Sequence, residues 1–272
     1  MTFPDIDPIF LSLGPLHFRW YGLMYVLGFM ACYFLVRRQI RTFSYRQLEP
    51  YFENLNLVLI LSVIIGGRLG YVLFYNFSYY LHHPLEIPAI WAGGMSFHGA
   101  CIGVLVGAGL YLQNKKIDYW PTADIYVVTV PIGLGLGRLG NFINGELYGR
   151  TTDLPWGMVF PGGGLQPRHP SQLYEMLLEG VVLFAILWSL KHRPWQENSR
   201  WPHGSMVFLF LICYGLFRFL IELVREPDVQ LGFIFGVLTM GQLLSILMMV
   251  SGIVLWIIIG RRQGRQATAA LK

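Results

Sequence analysis

The chain has 272 residues, a formal net charge of +5, 54% apolar residues and only 13% charged ones. With a mean hydropathy of +0.50, that composition excludes an ordinary soluble globular protein. The basic residues cluster between apolar stretches, so the positive balance reflects membrane topology and calls for no nucleic-acid partner.

In chain order, seven windows are apolar enough to be read as membrane-spanning helices, which need about 20 residues to cross a hydrocarbon layer about 30 Å thick. They are residues 20–36, 55–75, 94–113, 123–142, 172–190, 204–224 and 236–260. The fourth and sixth are interrupted by charge. The opening MTFPDIDPIF lacks the basic stretch of a secretory signal, so the first window reads as a retained span. No fixed-period repeat occurs, and the sequence predicts one all-α polytopic domain over residues 1–272.

Orientation follows from Lys and Arg. With the N-terminus outside, the cytoplasmic loops hold Arg37, Arg38, Arg41, Arg46, Lys115, Lys116, Lys191, Arg193 and Arg200. The C-terminal tail adds Arg261, Arg262, Arg265 and Lys272. This asymmetry predicts an outer N-terminus, an inner C-terminus and seven crossings. Residues 144–171 then form a small outer loop between helices four and five. Cys32, Cys101 and Cys213 all fall in apolar windows and read as packing residues. The histidines show no ligand spacing, so neither a metal nor a cofactor is expected.

Polar residues inside the windows carry the functional signal. Arg68, His98, Arg138, Arg218 and Glu222 lie within spans, and an arginine at a span centre costs about 2.5–3.5 kcal/mol on insertion scales. Such residues persist when they pair or line a polar cavity. At 1.5 Å per residue, Arg68, His98, Arg138 and Arg218 fall roughly 6–10 Å below the outer interface. The expectation is a polar chamber at the depth of outer-leaflet headgroups. On helix six, Tyr214, Arg218 and Glu222 recur every four residues and Arg225 follows on the same stripe. An Arg218–Glu222 pair there holds the guanidinium while leaving donors free.

Small residues at four-residue spacing, Gly66 and Gly70, Gly99, Gly103 and Gly107, and Gly133 and Gly137, predict close helix packing. Two tempting motifs fail. GLGRLG at 135–140 matches a dinucleotide fingerprint but lies inside a span, with no strand before it. Ser96 and His98 lack the GxSxG elbow of a hydrolase. Arginine, permanently charged and forked, suits a phosphate, and a histidine nearby can move a proton near neutral pH. The residues therefore point to a lipid-using enzyme with an arginine-held phosphate and a His or Tyr acid–base.

The stretch GRLGNFINGELYGR at 137–150 resembles the signature of the bacterial prolipoprotein diacylglyceryl transferase family. Four further segments match in order: WYGLMYVLGF at 20–29, GGMSFHGACIG at 93–103, RHPSQLYE at 168–175 and YGLFRFLIELVREPD at 214–228. The resemblance covers essentially the whole chain. It implies transfer of a diacylglyceryl group from phosphatidylglycerol to the lipobox cysteine of a prelipoprotein, in the bacterial cytoplasmic membrane with the site in the outer leaflet. By position, it implies that His98, Tyr214 and Arg218 are catalytic, and that Arg138, Arg218, Asn141 and Tyr21 bind the phospholipid. Arg68, Asn144, Glu146, Glu222 and Arg225 are supporting residues. Either His98 or Tyr214 can serve as the base. One departure stands out: the family's usual HGG reads His98-Gly99-Ala100 here. A lipid transporter or flippase is the competing class, but polar residues confined to one leaflet and the absence of a repeat argue against it.

Overall fold

The computed structural model describes residues 1–4, 6–14, 16–197, 199–226, 233–234 and 238–270. Pro227, Asp228, Gly236 and Lys272, and the side chain of Arg265, all used in reading the sequence, lie outside the described residues. The chain is mostly helical. Its helices are α1 (Trp20–Thr42), α2 (Phe52–Phe74), α3 (Phe77–His82), α4 (Phe97–Lys115), α5 (Tyr119–Val127), α6 (Val130–Ile143), α7 (Ser171–Glu175), α8 (Leu183–Leu190), α9 (Ser205–Glu222) and α10 (Met240–Ala270). A π-helical stretch, Met176–Val182, joins α7 to α8. Two short antiparallel pairs qualify the all-α expectation. They are β1 (Ile9–Leu13) with β2 (Leu16–Arg19), and β3 (Phe233–Ile234) with β4 (Leu238–Thr239).

Among the described residues, six helical segments are long and apolar enough to cross a membrane: Trp20–Thr42, Glu49–Phe74, Tyr119–Ile143, Ser171–Trp195, Ser205–Glu222 and Met240–Gln263. The expected third span coincides with α4, which is helical over 19 residues but is not among the six. His98 near one end and Gln113 and Asn114 at the other dilute its hydropathy. The fourth span is two helices rather than one. It breaks before α6, where Pro131 lacks an N–H to donate and so suits a first helical turn.

The chain divides into two compact units, residues Met1–Gln39 with Ala123–Lys272, and residues Ile40–Thr122. In the first, Val128, Leu183, Leu187 and Met206 are fully buried and form a core cluster. The buried Asp124 caps α9 from a distance in sequence, accepting from Gly204 N at 2.6 Å and Met206 N at 2.9 Å. That satisfies two of the donors a helix start leaves free. Helices α9 and α10 pack closely, with Gly215 against Ser245 and Met249, and Gly252 against Phe208. Residues 144–171 form an ordered loop stitched to the N-terminus: Thr2 bridges Val159, and Phe3 packs between Phe142 and Phe160.

In the second unit, α2 and α4 meet backbone to backbone. Added side chains at Gly66, Gly70, Gly99 or Gly103 would collide with the facing helix, and one at Gly107 with Ser62. The packing expected of these residues is therefore present. On α6 it is Gly135, against Gly180, and Gly140, against the Tyr21 ring, that lack room for a side chain, while Gly133 and Gly137 have open space at theirs. Gly133 nevertheless meets α1, where a Cβ added at Gly28 would lie 3.3 Å from the Gly133 Cα, so the expected close approach is present at Gly133 and not at Gly137. Cys101 is exposed, contrary to its expected packing role, whereas Cys32 and Cys213 are half-buried.

Candidate functional site

The first unit gathers three arginines and three carboxylates from three consecutive spans. Helix α6 supplies Arg138. The end of α7 supplies Glu175, the π-helical stretch supplies Glu179, α9 supplies Arg218 and Glu222, and Arg225 follows α9. Arg138 Nε lies 2.5 Å from Glu175 Oε2, an ion pair too bent to count as a hydrogen bond. Arg218 Nη1 donates to Glu175 Oε1 at 3.2 Å, and its Nη2 donates to Glu222 Oε1. Glu175 thus joins the two arginines. Arg225 Nη1 stands 3.8 Å from both Glu175 and Glu222. Glu222 is held on its other oxygen by Thr239 Oγ1 at 2.8 Å.

The expected Arg218–Glu222 pair is formed, but with a consequence the spacing did not show. Both terminal nitrogens of Arg218 are taken by carboxylates. Arg138 differs: only its Nε is engaged, its terminal nitrogens make no hydrogen bond among the described residues, and its side chain is 21% exposed against 13% for Arg218. A guanidinium oriented through Nε, with a free two-nitrogen fork, is suited to bidentate recognition of phosphate.

At the end of α6 the chain turns through Gly145, whose φ of +66° favours glycine. There Asn141 Nδ2 and Asn144 Nδ2 both donate to Glu146 Oε1, at 2.9 and 3.1 Å. Gln172 Nε2 donates to the Glu146 carbonyl at 2.6 Å, tying this turn to α7. Three residues implied by the resemblance thus form one small network. Arg150 Nε donates to the Arg225 carbonyl, and Arg168 to the Gly163 and Gly149 carbonyls and to Glu226. These two arginines bind the loop to the chain after α9.

Tyr21, near the start of α1, lays its ring on Gly140 and shares a 3.0 Å hydrogen bond with Tyr25. Tyr214 stacks on Phe210 with centroids 5.5 Å apart and packs against the core cluster. Its hydroxyl makes no hydrogen bond among the described residues.

The second unit holds Arg68 and His98. Arg68 is 4% exposed, and its donors are occupied by loop carbonyls. Nε donates to Ile87 at 2.7 Å, Nη2 to Glu86 at 2.8 Å, and Nη1 to Gly93 at 2.5 Å and Gly94 at 3.2 Å. Its guanidinium also lies 5.1 Å over the Tyr80 ring. Arg68 is therefore committed to shaping the segment that leads into α4 rather than to an anion. Ser96 N donates to Gly67 O, and Ser96 Oγ caps α4 by accepting from Gly99 N. His98 sits exposed in that first turn, its ring edge-on to Phe97.

Glu175 and Glu179 were not singled out from the sequence. The signal was available: two carboxylates four residues apart inside an apolar window, the same pattern that drew attention to Arg218 and Glu222.

Comparison with known proteins matches residues 8–258 to the family model described as prolipoprotein diacylglyceryl transferase. A phosphatidylglycerol–prolipoprotein diacylglyceryl transferase of Desulfotalea psychrophila is 65% identical over 255 residues, 94% of each chain. Proteins of the same name from Geobacter sulfurreducens and Bordetella avium are 54% and 50% identical. The matches cover 97% and 98% of this chain and 99% of each relative. The chain belongs to the prolipoprotein diacylglyceryl transferase family.

Proposed function

We propose that this protein transfers a diacylglyceryl group from phosphatidylglycerol to the lipobox cysteine thiol of a prelipoprotein. The thiol sulfur attacks the glyceryl carbon, the C–O bond to phosphate breaks, and glycerol phosphate leaves with the bonding electrons while the thiol proton passes to a base. The observation that carries the reading is the arginine cluster: Arg138, fixed through Nε on Glu175 beside Arg218, offers a fork to the phosphate. Ionising a free thiol of pKa about 8.5 at pH 7 costs about 2 kcal/mol. His98, exposed at the start of α4, is the proposed base, and Tyr214 is the alternative one. Charge developing on the departing phosphate monoester is stabilised by Arg138, with Arg218 as its neighbour. Asn141 and Tyr21 are the proposed further contacts to the phospholipid, with Asn144, Glu146, Glu222 and Arg225 holding them or the arginines in place.

The enzyme acts on lipid in the bacterial cytoplasmic membrane, with its site in the outer leaflet. Seven crossings, α4 included, leave the N-terminus and the loop 144–171 outside and the C-terminus inside. Support comes from the basic residues of the loops assigned to the cytoplasm. The partners are phosphatidylglycerol and the prelipoprotein signal peptide, with surrounding membrane lipids and no nucleic acid. The test incubates purified protein with phosphatidylglycerol and a lipobox peptide and reads the peptide mass. A diacylglyceryl adduct on the cysteine is expected. Intact peptide in the presence of folded protein overturns the reading.

A further inference from the structure

Glu179 stands apart from the other carboxylates of the cluster. Glu175 binds Arg138 and Arg218, and Glu222 binds Arg218 and Thr239. Glu179 is fully buried, yet neither of its oxygens has a hydrogen-bond partner among the described residues. They lie 3.9 Å from Arg138 Nε and 3.8 Å from Arg218 Nη1, close enough for strong attraction but beyond hydrogen-bonding reach. A carboxylate held this way is costly, because burial removes water and no donor replaces it.

The backbone that carries it is unusual. Glu179 rides on the π-helical stretch Met176–Val182, a form that is rare and concentrated at functional sites. Its neighbour Gly180 seats this stretch directly on Gly135 of α6, one turn from Arg138.

Charge gives the consequence. With all three carboxylates ionised, three guanidinium groups face three negative charges, a formal balance of zero, and an arriving phosphate then meets no net positive charge. Glu175 and Glu222 orient the arginines through hydrogen bonds or close ion pairs. Glu179 orients neither and only neutralises them. We propose that Glu179 is an affinity-limiting residue that acts through the charge of Arg138 and Arg218. Its charge opposes an anionic headgroup at Arg138 and Arg218, which keeps glycerol phosphate from being retained after transfer. Tight binding of substrate and product alike adds nothing to turnover once the lipid is saturating, and slow product release reduces it. The inference rests on the transferase reading above.

The test compares the full-length wild-type protein with Glu179→Gln and Glu179→Met in mixed micelles, titrating phosphatidylglycerol at fixed lipobox peptide. Both substitutions remove the charge, and Gln also keeps the shape. The expected result is a fall of about tenfold in KM for phosphatidylglycerol and in the inhibition constant for glycerol phosphate, with a lower kcat, because the charge removed lies about 4 Å from the two arginines and acts on the phosphate through them. Glu175→Gln, which loosens Arg138, raises KM instead. A merely structural role does not tighten binding. Unchanged or higher KM and inhibition constants in folded variants overturn the proposal, as does failure of both Glu179 variants to fold. Should the wild-type protein transfer nothing, the transferase reading fails. Calorimetric binding of glycerol phosphate to the same proteins then still decides the role of Glu179, with tighter binding by the variants expected and equal binding overturning it.

Discussion

Arg138 presents a divided guanidinium: Nε faces Glu175 at 2.5 Å, and the two terminal nitrogens make no hydrogen bond among the described residues. Lysine cannot do both jobs, since one ammonium replaces a fork. Arg138→Lys is expected to lose about 100-fold in kcat/KM, the scale of removing one donor to developing negative charge. A phosphatidylglycerol titration checks this. Arg68 makes the contrasting case. Its donors go to the carbonyls of Ile87, Glu86, Gly93 and Gly94, and such charge-assisted bonds contribute about 1.5–3 kcal/mol each. Arg68→Lys is expected to lower kcat, by loosening the segment that leads to His98, while leaving KM for phosphatidylglycerol unchanged. A raised KM with unchanged kcat would place Arg68 on the lipid instead. From the sequence the two arginines look alike. Both are single cations in apolar windows, and only the partners of each guanidinium separate a phosphate site from a loop clamp.

At the scale of elements, the apolar windows gave away the helices because length and hydropathy are local properties. What they hid depends on contacts between helices. The π-helical turn that carries Glu179 has no local mark, and the Gly135–Gly180 seat on α6 follows from three-dimensional approach rather than from spacing. Asp124 was equally silent: it caps α9 from some 80 residues away, which no pattern within a window reveals. Asp124→Ala removes both bonds to the start of α9 and is expected to lower stability by about 1–3 kcal/mol, read as an earlier thermal unfolding transition in detergent. Gly180→Val pushes the π-helical turn away from α6. It is expected to cost more than tenfold in activity, because small displacements of positioning groups are amplified in rate. Wild-type turnover in that variant would show that the seat of the turn on α6 does not matter to the site.

For the whole molecule, the candidate site was legible only as a set of positions: the signature stretch, the helix-six stripe and the histidine all lie within the residues that the family match covers. Its internal wiring was not, since Glu175 and Glu179 escaped notice and Arg68 proved to be a loop clamp. The proposed topology makes its own prediction. In intact cells stripped of their outer barrier, Ser12→Cys is expected to react with a membrane-impermeant maleimide, and Gln263→Cys only after lysis. The reverse pattern would invert the orientation.

The most direct test of the central claim measures thioether formation on a lipobox peptide with phosphatidylglycerol as donor. It compares the wild-type protein with a folded Arg138→Gln variant. Transfer by the wild type and its collapse in the variant is the predicted result, and equal transfer by both proteins would contradict it.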